Sequence, residues 1–234
     1  MKSIISLLLL FSTSSALAAE CVVLLHGLVR SASSMETMEQ RLLAEGYQVN
    51  NIDYPSRDYP IETLAEMAVG EGIQSCEEQQ ASKINFVTHS LGGILVRLYL
   101  KNHQRDDIHR VVMLGPPNQG SEVVDSLKNT PGYELLNGPA GMQLGTQATD
   151  LPRSLGPVNF ELGVIAGTQS INLILSSFLP NPDDGKVSVE STKVAGMKDF
   201  IALATTHPFM MKNSEVIDQV VNFLAKGQFH RAND

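Results

Sequence analysis

The sequence predicts an α/β fold, with a six-stranded, mostly parallel sheet that carries helices on both faces. Six short apolar runs stand out, and most of them are nearly continuous in hydrophobicity, which is typical of strands covered on both sides. Helical patterns lie between several of these runs, and this order of strand and helix favours parallel pairing. The runs are CVVLL from 21, VNNIDY from 49, INFVT from 84, RVVML from 110, ELGVIA from 161 and FIALAT from 200. With 234 residues, 43% of them hydrophobic, the chain can bury one sizeable core, so a single domain is expected.

Four segments place apolar residues at helical spacing. In the first, SSMETMEQRLLAEG, Ser33 stands three residues before Glu36, which is the spacing of a capping box, and Gly46 ends the pattern. The others are IETLAEMAVGEGIQSC from 61, LGGILVRLYLKN from 91 and NSEVIDQVVNFLAKG from 213. Residues 115–159 are rich in Gly, Pro, Asn and Gln and too long for an ordinary connection, so they are predicted to form functional loops or a partial cover.

Residues 1–18 have the pattern of a secretory signal peptide. A lysine near the start precedes an apolar stretch at 4–11, and the residues up to Ala18 fit the A-x-A cleavage pattern. A membrane span is the alternative, but the stretch is far shorter than the ~20 residues that cross the hydrocarbon. Glu20 precedes the first cysteine, where a lipoprotein signal requires a small residue. We therefore expect residues 19–234 to be exported, to the periplasm or the medium, as one domain without a stable membrane anchor.

The charge of the chain excludes some partners. The formal net charge is -8, and removal of Lys2 with the signal peptide makes the mature chain more negative by one. Nucleic acid or an anionic membrane is therefore not expected as the main partner. The scattered His and Asp residues lack metal-ligand spacing, so neither a metal nor a cofactor is predicted.

The stretch VTHSLGG places a serine at the carboxyl end of a predicted strand, where ligands bind in parallel α/β sheets. A sharp turn at Ser90 would present its hydroxyl above the sheet. The N–H of Leu91 would then lie at a helix N-terminus and stabilise a developing oxyanion. The general pattern is G-x-S-x-G, and Thr88 replaces its first glycine. From this stretch alone, a nucleophile and a serine that only caps the helix are both open interpretations.

The first predicted strand ends in a second motif, LLHGL. Gly27 allows the chain to turn there, and the N–H of Leu28 would supply a second donor for an oxyanion. For His26 we favour a hydrogen-bonded structural role over proton transfer.

Together, LLHGL and VTHSLGGILVR resemble α/β-hydrolase lipases and esterases, in particular small bacterial lipases with a minimal six-stranded core. The resemblance covers essentially the whole mature chain. It implies the α/β-hydrolase fold and a catalytic triad in the chain order serine, acid, histidine.

The resemblance implies a base in a loop after the last strand. His207 in FIALATTHPFMM has that position. The other histidines are less suitable, because His89 is expected to be packed or hydrogen-bonded. His103 and His109 fall at the opposite end of the sheet, and His230 lies in the C-terminal tail.

The acid is expected after the strand ELGVIA, in NPDDGKVSVEST. Its Asp-Gly-x-Val resembles the acid loop of the lipases, and Asp184 aligns with that aspartate. We prefer Asp184 to its neighbour Asp183, and a turn-forming Asp-Asp-Gly without a catalytic role is the alternative. Asp150 and Asp199 precede their strands and so fall at the wrong end of the sheet.

Export to an oxidising compartment suggests that the only two cysteines, Cys21 and Cys76, form a pair. In the fold that the resemblance implies, the first and third strands are neighbours, which would bring both cysteines to one edge of the sheet. A bridge would close a loop of about 55 residues and contribute roughly 3 to 4 kcal/mol. Two buried thiols are the alternative.

The predicted function is that of a lipase or esterase, which hydrolyses carboxylic esters through an acyl-enzyme on Ser90, with His207 as base and Asp184 as acid. Leu28 and Leu91 would donate their N–H groups to the oxyanion. The expected enzyme is a monomer that acts on an acyl-ester small molecule or lipid. An acyltransferase or thioesterase with the same triad, or a non-catalytic binding protein of the same fold, are the alternatives.

Apolar residues in two segments are candidates for an acyl-chain pocket, with a role in the core as the alternative. They predict a medium or long acyl chain. These residues are Leu135, Leu136, Met142, Leu144, Ile171, Leu173, Ile174, Leu175, Phe178 and Leu179.

Overall fold

The computed structural model describes residues 20–231, and within them six strands form one parallel sheet. The strands lie in the order β2-β1-β3-β4-β5-β6, and every neighbouring pair is parallel. All six predicted runs form strands. Their bounds are Cys21–Leu25 (β1), Gln48–Ile52 (β2), Ile84–His89 (β3), Ile108–Leu114 (β4), Leu162–Gly167 (β5) and Asp199–Leu203 (β6). The predicted signal peptide at 1–18 lies outside the described residues.

Helices cover both faces of the sheet. On one face lie Ile61–Leu64 (α2), a π-helical turn Ala65–Val69, Gly70–Glu78 (α3) and Leu91–Asn102 (α4). On the other face lie Glu36–Ala44 (α1) and Ser214–Lys226 (α10). Among the described residues, no helix has the length and apolar character needed to span a bilayer.

Strand β1 explains why the apolar runs do not alternate. Val23 and Leu25 join the buried cluster beneath the helices of the first face. Val22 and Leu24 join the cluster that contains the buried side chains of α1 and α10. Because successive side chains point to opposite faces, a strand covered on both sides must be apolar throughout.

The capping box predicted at the start of the first helix is wrong. Ala32–Met35 forms a 3-10 turn, and α1 begins only at Glu36. Ser33 lies inside that turn, and its hydroxyl exchanges a 2.8 Å hydrogen bond with the hydroxyl of Ser31 instead of capping α1. The spacing identified the segment correctly but not the winding of its first turn.

Residues 115–159 contain three short helices, Glu122–Leu127 (α5), Tyr133–Met142 (α6) and Leu151–Ser154 (α7). Arg97 links this segment to α4. Its guanidinium donates to the Asn118 carbonyl at 3.0 Å and to the Gly156 carbonyl at 2.7 Å. Burial lowers the pKa of Arg97 to about 10. Three further elements follow β5, namely Leu173–Ser176 (α8), Val189–Thr192 (α9) and the 3-10 helix His207–Lys212.

The two cysteines form the predicted disulfide. Cys21 opens β1 and Cys76 lies in α3, with their Cα atoms 5.7 Å apart. The bridge joins positions 55 residues apart, which corresponds to a contribution of roughly 3 to 4 kcal/mol in the chain-entropy model.

Candidate active site

Ser90 stands at a sharp turn between β3 and α4. Its backbone has φ 52° and ψ −116°, a positive φ that L-residues seldom adopt. The Ser90 N–H donates to the Leu114 carbonyl at 2.9 Å, which ties the turn to β4. Strain of this kind persists where the surroundings enforce it, and it clusters at functional sites. The geometry therefore favours a nucleophile over a serine that only caps a helix, and the Ser90 side chain makes no capping hydrogen bond.

Two glycines allow the chain to approach the turn closely. A Cβ at Gly92 would lie 2.8 Å from the Leu25 carbonyl oxygen, so α4 could not pack against β1 with a larger residue there. A Cβ at Gly27 would lie 2.7 Å from Nδ1 of His89 and 3.2 Å from Cβ of Ser90. The loop after β1 therefore lies directly against the serine turn.

Thr88, which replaces the first glycine of the pattern, stays within regular strand geometry. It pairs with Leu25 of β1 and Met113 of β4 and is fully buried. Within residues 20–231, its hydroxyl has no hydrogen-bond partner. The positive φ is confined to Ser90, so position 88 itself does not demand glycine.

The structure brings Ser90, His207 and Asp184 together above the carboxyl ends of the strands. Nε2 of His207 lies 3.1 Å from the Ser90 hydroxyl, and Nδ1 lies 2.7 Å from Oδ2 of Asp184. The other oxygen, Oδ1, accepts from the N–H groups of Lys186 at 3.0 Å and Val187 at 2.9 Å. Both carboxylate oxygens are therefore engaged, and the side chain is 1% exposed. Asp184 therefore orients the imidazole through Nδ1, and Nε2 faces the Ser90 hydroxyl.

Asp183 makes different contacts. Its Oδ1 accepts from the Ser176 hydroxyl at 2.5 Å and from the Gly185 N–H at 2.7 Å. These bonds hold the turn that precedes the Asp184 side chain, so Asp183 is placed as a turn residue.

The two predicted oxyanion donors belong to segments next to Ser90. Leu91 is the first residue of α4, so its N–H belongs to the first turn, whose amides have no carbonyl partner within the helix. Leu28 follows Gly27 and lines the cavity that contains Ser90. An acyl oxygen bound between them would also meet the positive end of the α4 dipole.

The remaining histidines do not take part in this hydrogen-bonded chain. His26 is buried and stacks on Tyr54 at 4.1 Å, and burial lowers its pKa, in agreement with the predicted structural role. His103 lies 2.9 Å from the Glu66 carboxylate, and His109 lies 3.5 Å from Glu20. His230 contacts Gln219 through its backbone.

His89 has a role that the sequence indicated only in general terms. Its Nε2–H donates to the backbone carbonyl of His207 at 3.0 Å, and the two rings lie 4.8 Å apart. Burial, followed by the nearby His207, lowers the pKa of His89 well below its ordinary value, so the ring is neutral. The residue before the serine thus fixes the loop that carries the histidine, across 118 positions of sequence.

The three aligned groups open into a cavity of about 720 Å³. Of the ten predicted acyl-pocket residues, only Leu136, Leu144, Ile171 and Leu175 line it. Leu173 and Ile174 are 79% and 75% exposed, because α8 turns them toward solvent. The prediction missed several lining residues, among them Val123, Val124, Leu127 and Tyr133.

A family model for palmitoyl protein thioesterases matches residues 21–150, more than half of the chain. The chain belongs to the palmitoyl protein thioesterase family. The match begins with β1 and includes Ser90 and most of the segment that covers the cavity. No curated protein matches the chain.

Several solved structures have a fold similar to that of this palmitoyl protein thioesterase family member. The mature form of Bacillus licheniformis lipase BlEst2 has a TM-score of 0.70 at 19% identity, over 90% of this chain and 92% of that one. Phospholipase PlaB from Legionella pneumophila has a TM-score of 0.64 at 18% identity, over 81% of this chain and 53% of that one. The metagenomic carboxyl esterase MGS0156 has a TM-score of 0.65 at 17% identity, over 81% of this chain and 65% of that one. At these identities the likeness shows the α/β-hydrolase fold alone.

The predicted fold is confirmed by the sheet and its neighbours. Membership of the palmitoyl protein thioesterase family also confirms the predicted class of enzyme, a serine hydrolase that cleaves esters.

Proposed function

We propose that the chain hydrolyses esters of medium or long acyl chains, with Ser90 as nucleophile, His207 as base and Asp184 as orienting acid. The observation that carries this proposal is the continuous hydrogen-bonded chain of the three side chains, with distances of 3.1 Å and 2.7 Å, at an apolar cavity. This arrangement has the geometry that nucleophilic serine catalysis requires.

Acylation begins when Nε2 of His207 takes the proton from Ser90 as Oγ bonds to the acyl carbon. The backbone N–H groups of Leu28 and Leu91 stabilise the resulting oxyanion. Asp184 keeps Nδ1 protonated and stabilises the imidazolium. His207 then returns the proton to the departing oxygen, which leaves as the alcohol and creates the acyl-enzyme.

Deacylation repeats these steps with water. His207 takes a proton from the attacking water, whose oxygen bonds to the acyl carbon, and then gives that proton back to Ser90. The products are a carboxylic acid and the free enzyme. The chemistry described uses only groups of this chain and water.

The cavity supports an acyl chain as the apolar half of the substrate. Its lining includes Leu127, Leu136, Leu144 and Leu175, contributed by the segment after β4 and by the turn after β5. Burial of each CH₂ group is worth about 0.8 kcal/mol, or roughly fourfold in binding. We expect kcat/KM to rise by about that factor per CH₂ along a series of p-nitrophenyl esters until the chain fills the cavity.

Thioester hydrolysis is the second candidate, and the family match favours it. The same triad serves both reactions, because a thiolate leaves from the same tetrahedral intermediate. An oxygen ester and a thioester with identical acyl chains separate the two candidates through the ratio of their kcat/KM values.

Export of the chain is proposed with this function. The predicted signal peptide supports it, as does the Cys21–Cys76 disulfide, because such bridges persist in oxidising compartments. Analysis of the N-terminus of the expressed protein, with residue 19 expected first, tests this proposal.

Fluorophosphonate labelling tests the proposed nucleophile. We expect one label on Ser90, no label and no esterase activity in Ser90→Ala, and unchanged behaviour in Ser126→Ala, which alters an exposed serine of α5. A folded Ser90→Ala variant that still labels and hydrolyses would exclude Ser90 as the nucleophile.

A further inference from the structure

The cavity is positively charged, although the chain is acidic. Arg30, Arg57 and Lys186 line it, and Asp184 is the only carboxylate on the lining that the structure describes. Asp184 is already bound to His207 and to two backbone N–H groups. In a chain with 25 acidic and 17 basic residues, this concentration of cations marks a local reversal of charge.

These three cations have no ionic partners of their own. Each is exposed, and within residues 20–231 none lies within salt-bridge distance of a carboxylate. Arg30 and Arg57 also line a neighbouring depression together with Asp53 and Asp58. Of the three cations, Arg30 and Lys186 stand nearest in sequence to the proposed catalytic groups.

Arg30 and Lys186 belong to the two loops that enclose the reacting groups. Arg30 follows Leu28 by two residues, and Lys186 follows Asp184 by two residues. Although Lys186 reaches solvent, partial burial lowers the pKa of its ammonium, as does repulsion from Arg30, while Asp184 raises it. The fold thus holds two like charges near each other at the catalytic end of the cavity. An anion between them would relieve this repulsion.

Much of the apolar lining comes from a different segment. Val124, Leu127, Leu136 and Leu144 all belong to the segment after β4. An acyl chain matches this wall and gains nothing from cations. The charged end is therefore suited to the half of the ester that departs as the alcohol.

We propose that the site selects acyl esters whose alcohol half carries negative charge, such as a phosphate or a carboxylate, and that Arg30 and Lys186 bind this anion. This inference rests on the proposed ester hydrolysis. Neutral esters of the same acyl chain would be poorer substrates of the same catalytic groups.

Three soluble glycerol esters test the inference, with release of the acid followed by chromatography. The first is octanoyl glycerol, the second is octanoyl glycerol phosphate, and the third is the glycerol monoester of octanedioic acid, which carries its charge on the acyl half. We expect kcat/KM for the phosphate to exceed that for octanoyl glycerol by up to about fivefold for each exposed ion pair that the phosphate forms. This preference is expected to fall at high salt.

Variants assign the preference to named residues. Arg30→Met and Lys186→Met are each expected to lower the ratio of phosphate to neutral kcat/KM by up to about fivefold. Lys226→Met is the matched control, because it removes an exposed lysine of α10 that does not line the cavity. This control is expected to leave the ratio unchanged, and a thermal melt of each variant verifies folding.

Each contrary result has a distinct meaning. Equal rates on the neutral and phosphate esters, or a ratio that Arg30→Met and Lys186→Met leave unchanged, would overturn the inference while hydrolysis at Ser90 stands. Preference for the octanedioic ester would place the anion on the acyl half and overturn it as well. Failure of all three esters together with absent fluorophosphonate labelling would instead remove the proposed function.

Discussion

Replacement of Asp184 by asparagine tests the proposed triad most sharply. In the native chain, Oδ1 accepts two backbone N–H groups and Oδ2 accepts the proton on Nδ1 of His207. Asparagine has only one oxygen, and the two N–H donors of Lys186 and Val187 fix it at the Oδ1 position. The amide NH₂ then faces His207 and donates to Nδ1.

This exchange forces the wrong tautomer on the histidine. Nε2 then carries the proton and points it at Ser90, so it cannot accept the serine proton. Loss of the correct tautomer in a serine–histidine–aspartate triad lowers kcat by about 10⁴-fold. We therefore expect Asp184→Asn to reduce kcat on p-nitrophenyl octanoate by about that factor with little change in the melting temperature.

Asp183→Asn is the matched control. Asp183 uses a single oxygen, Oδ1, for both the Ser176 hydroxyl and the Gly185 N–H, and asparagine retains an oxygen for that position. We expect kcat to stay within about threefold of the native value. A folded Asp184→Asn enzyme with more than a tenth of native kcat, or an equally large loss in Asp183→Asn, would refute the reasoning from the tautomer.

Three further predictions concern stability. Replacement of both Cys21 and Cys76 by alanine is expected to lower the free energy of unfolding by about 3 to 4 kcal/mol. Calorimetry should then show a melting temperature lower by roughly 6 to 16 °C. A change below about 2 °C would contradict the loop-closure argument. Burial lowers the pKa of His26 and His89 from 6.5, so the unfolded chain binds protons below that pH that the folded chain does not. The free energy of unfolding, measured with urea, should be highest above pH 6.5. Below that pH it should fall by about 1.4 kcal/mol per pH unit for each histidine. A free energy of unfolding that does not change with pH would argue against buried neutral rings. Thr88→Val removes a buried hydroxyl without a partner and is expected to stabilise the fold by about 1 kcal/mol in the same assay, and destabilisation would indicate that a buried water satisfies that hydroxyl.

The elements that could be predicted from the sequence depend on local chain properties. Most of the predicted strands are nearly continuous apolar runs, and α10 has a recognisable beginning and end. Asn213 accepts from the N–H groups of Glu215 and Val216, and Gly227 ends the helix with φ 72°. The apolar run before Ser90 places it at the end of a strand, and its proposed role as nucleophile depends on the chain order that the resemblance to known hydrolases implies.

The features that escaped prediction depend on contacts between distant parts of the chain. The bond from His89 to the His207 carbonyl joins residues that no local pattern relates. Leu173 and Leu175 have similar sequence surroundings, but only the fold decides that Leu175 lines the cavity and Leu173 faces solvent. Arg30 and Lys186 line one cavity although they lie 156 positions apart in the sequence.

The buried guanidinium of Arg97 has a consequence for engineering. By holding Asn118 and Gly156, it fixes both ends of the intervening chain to the same helix that begins next to Ser90. Much of the apolar wall of the cavity is therefore a segment with two anchored ends, and this segment contains none of Ser90, Asp184 and His207. Exchange of the residues between these anchors is a route to new acyl-chain selectivity that keeps the geometry of Ser90 intact.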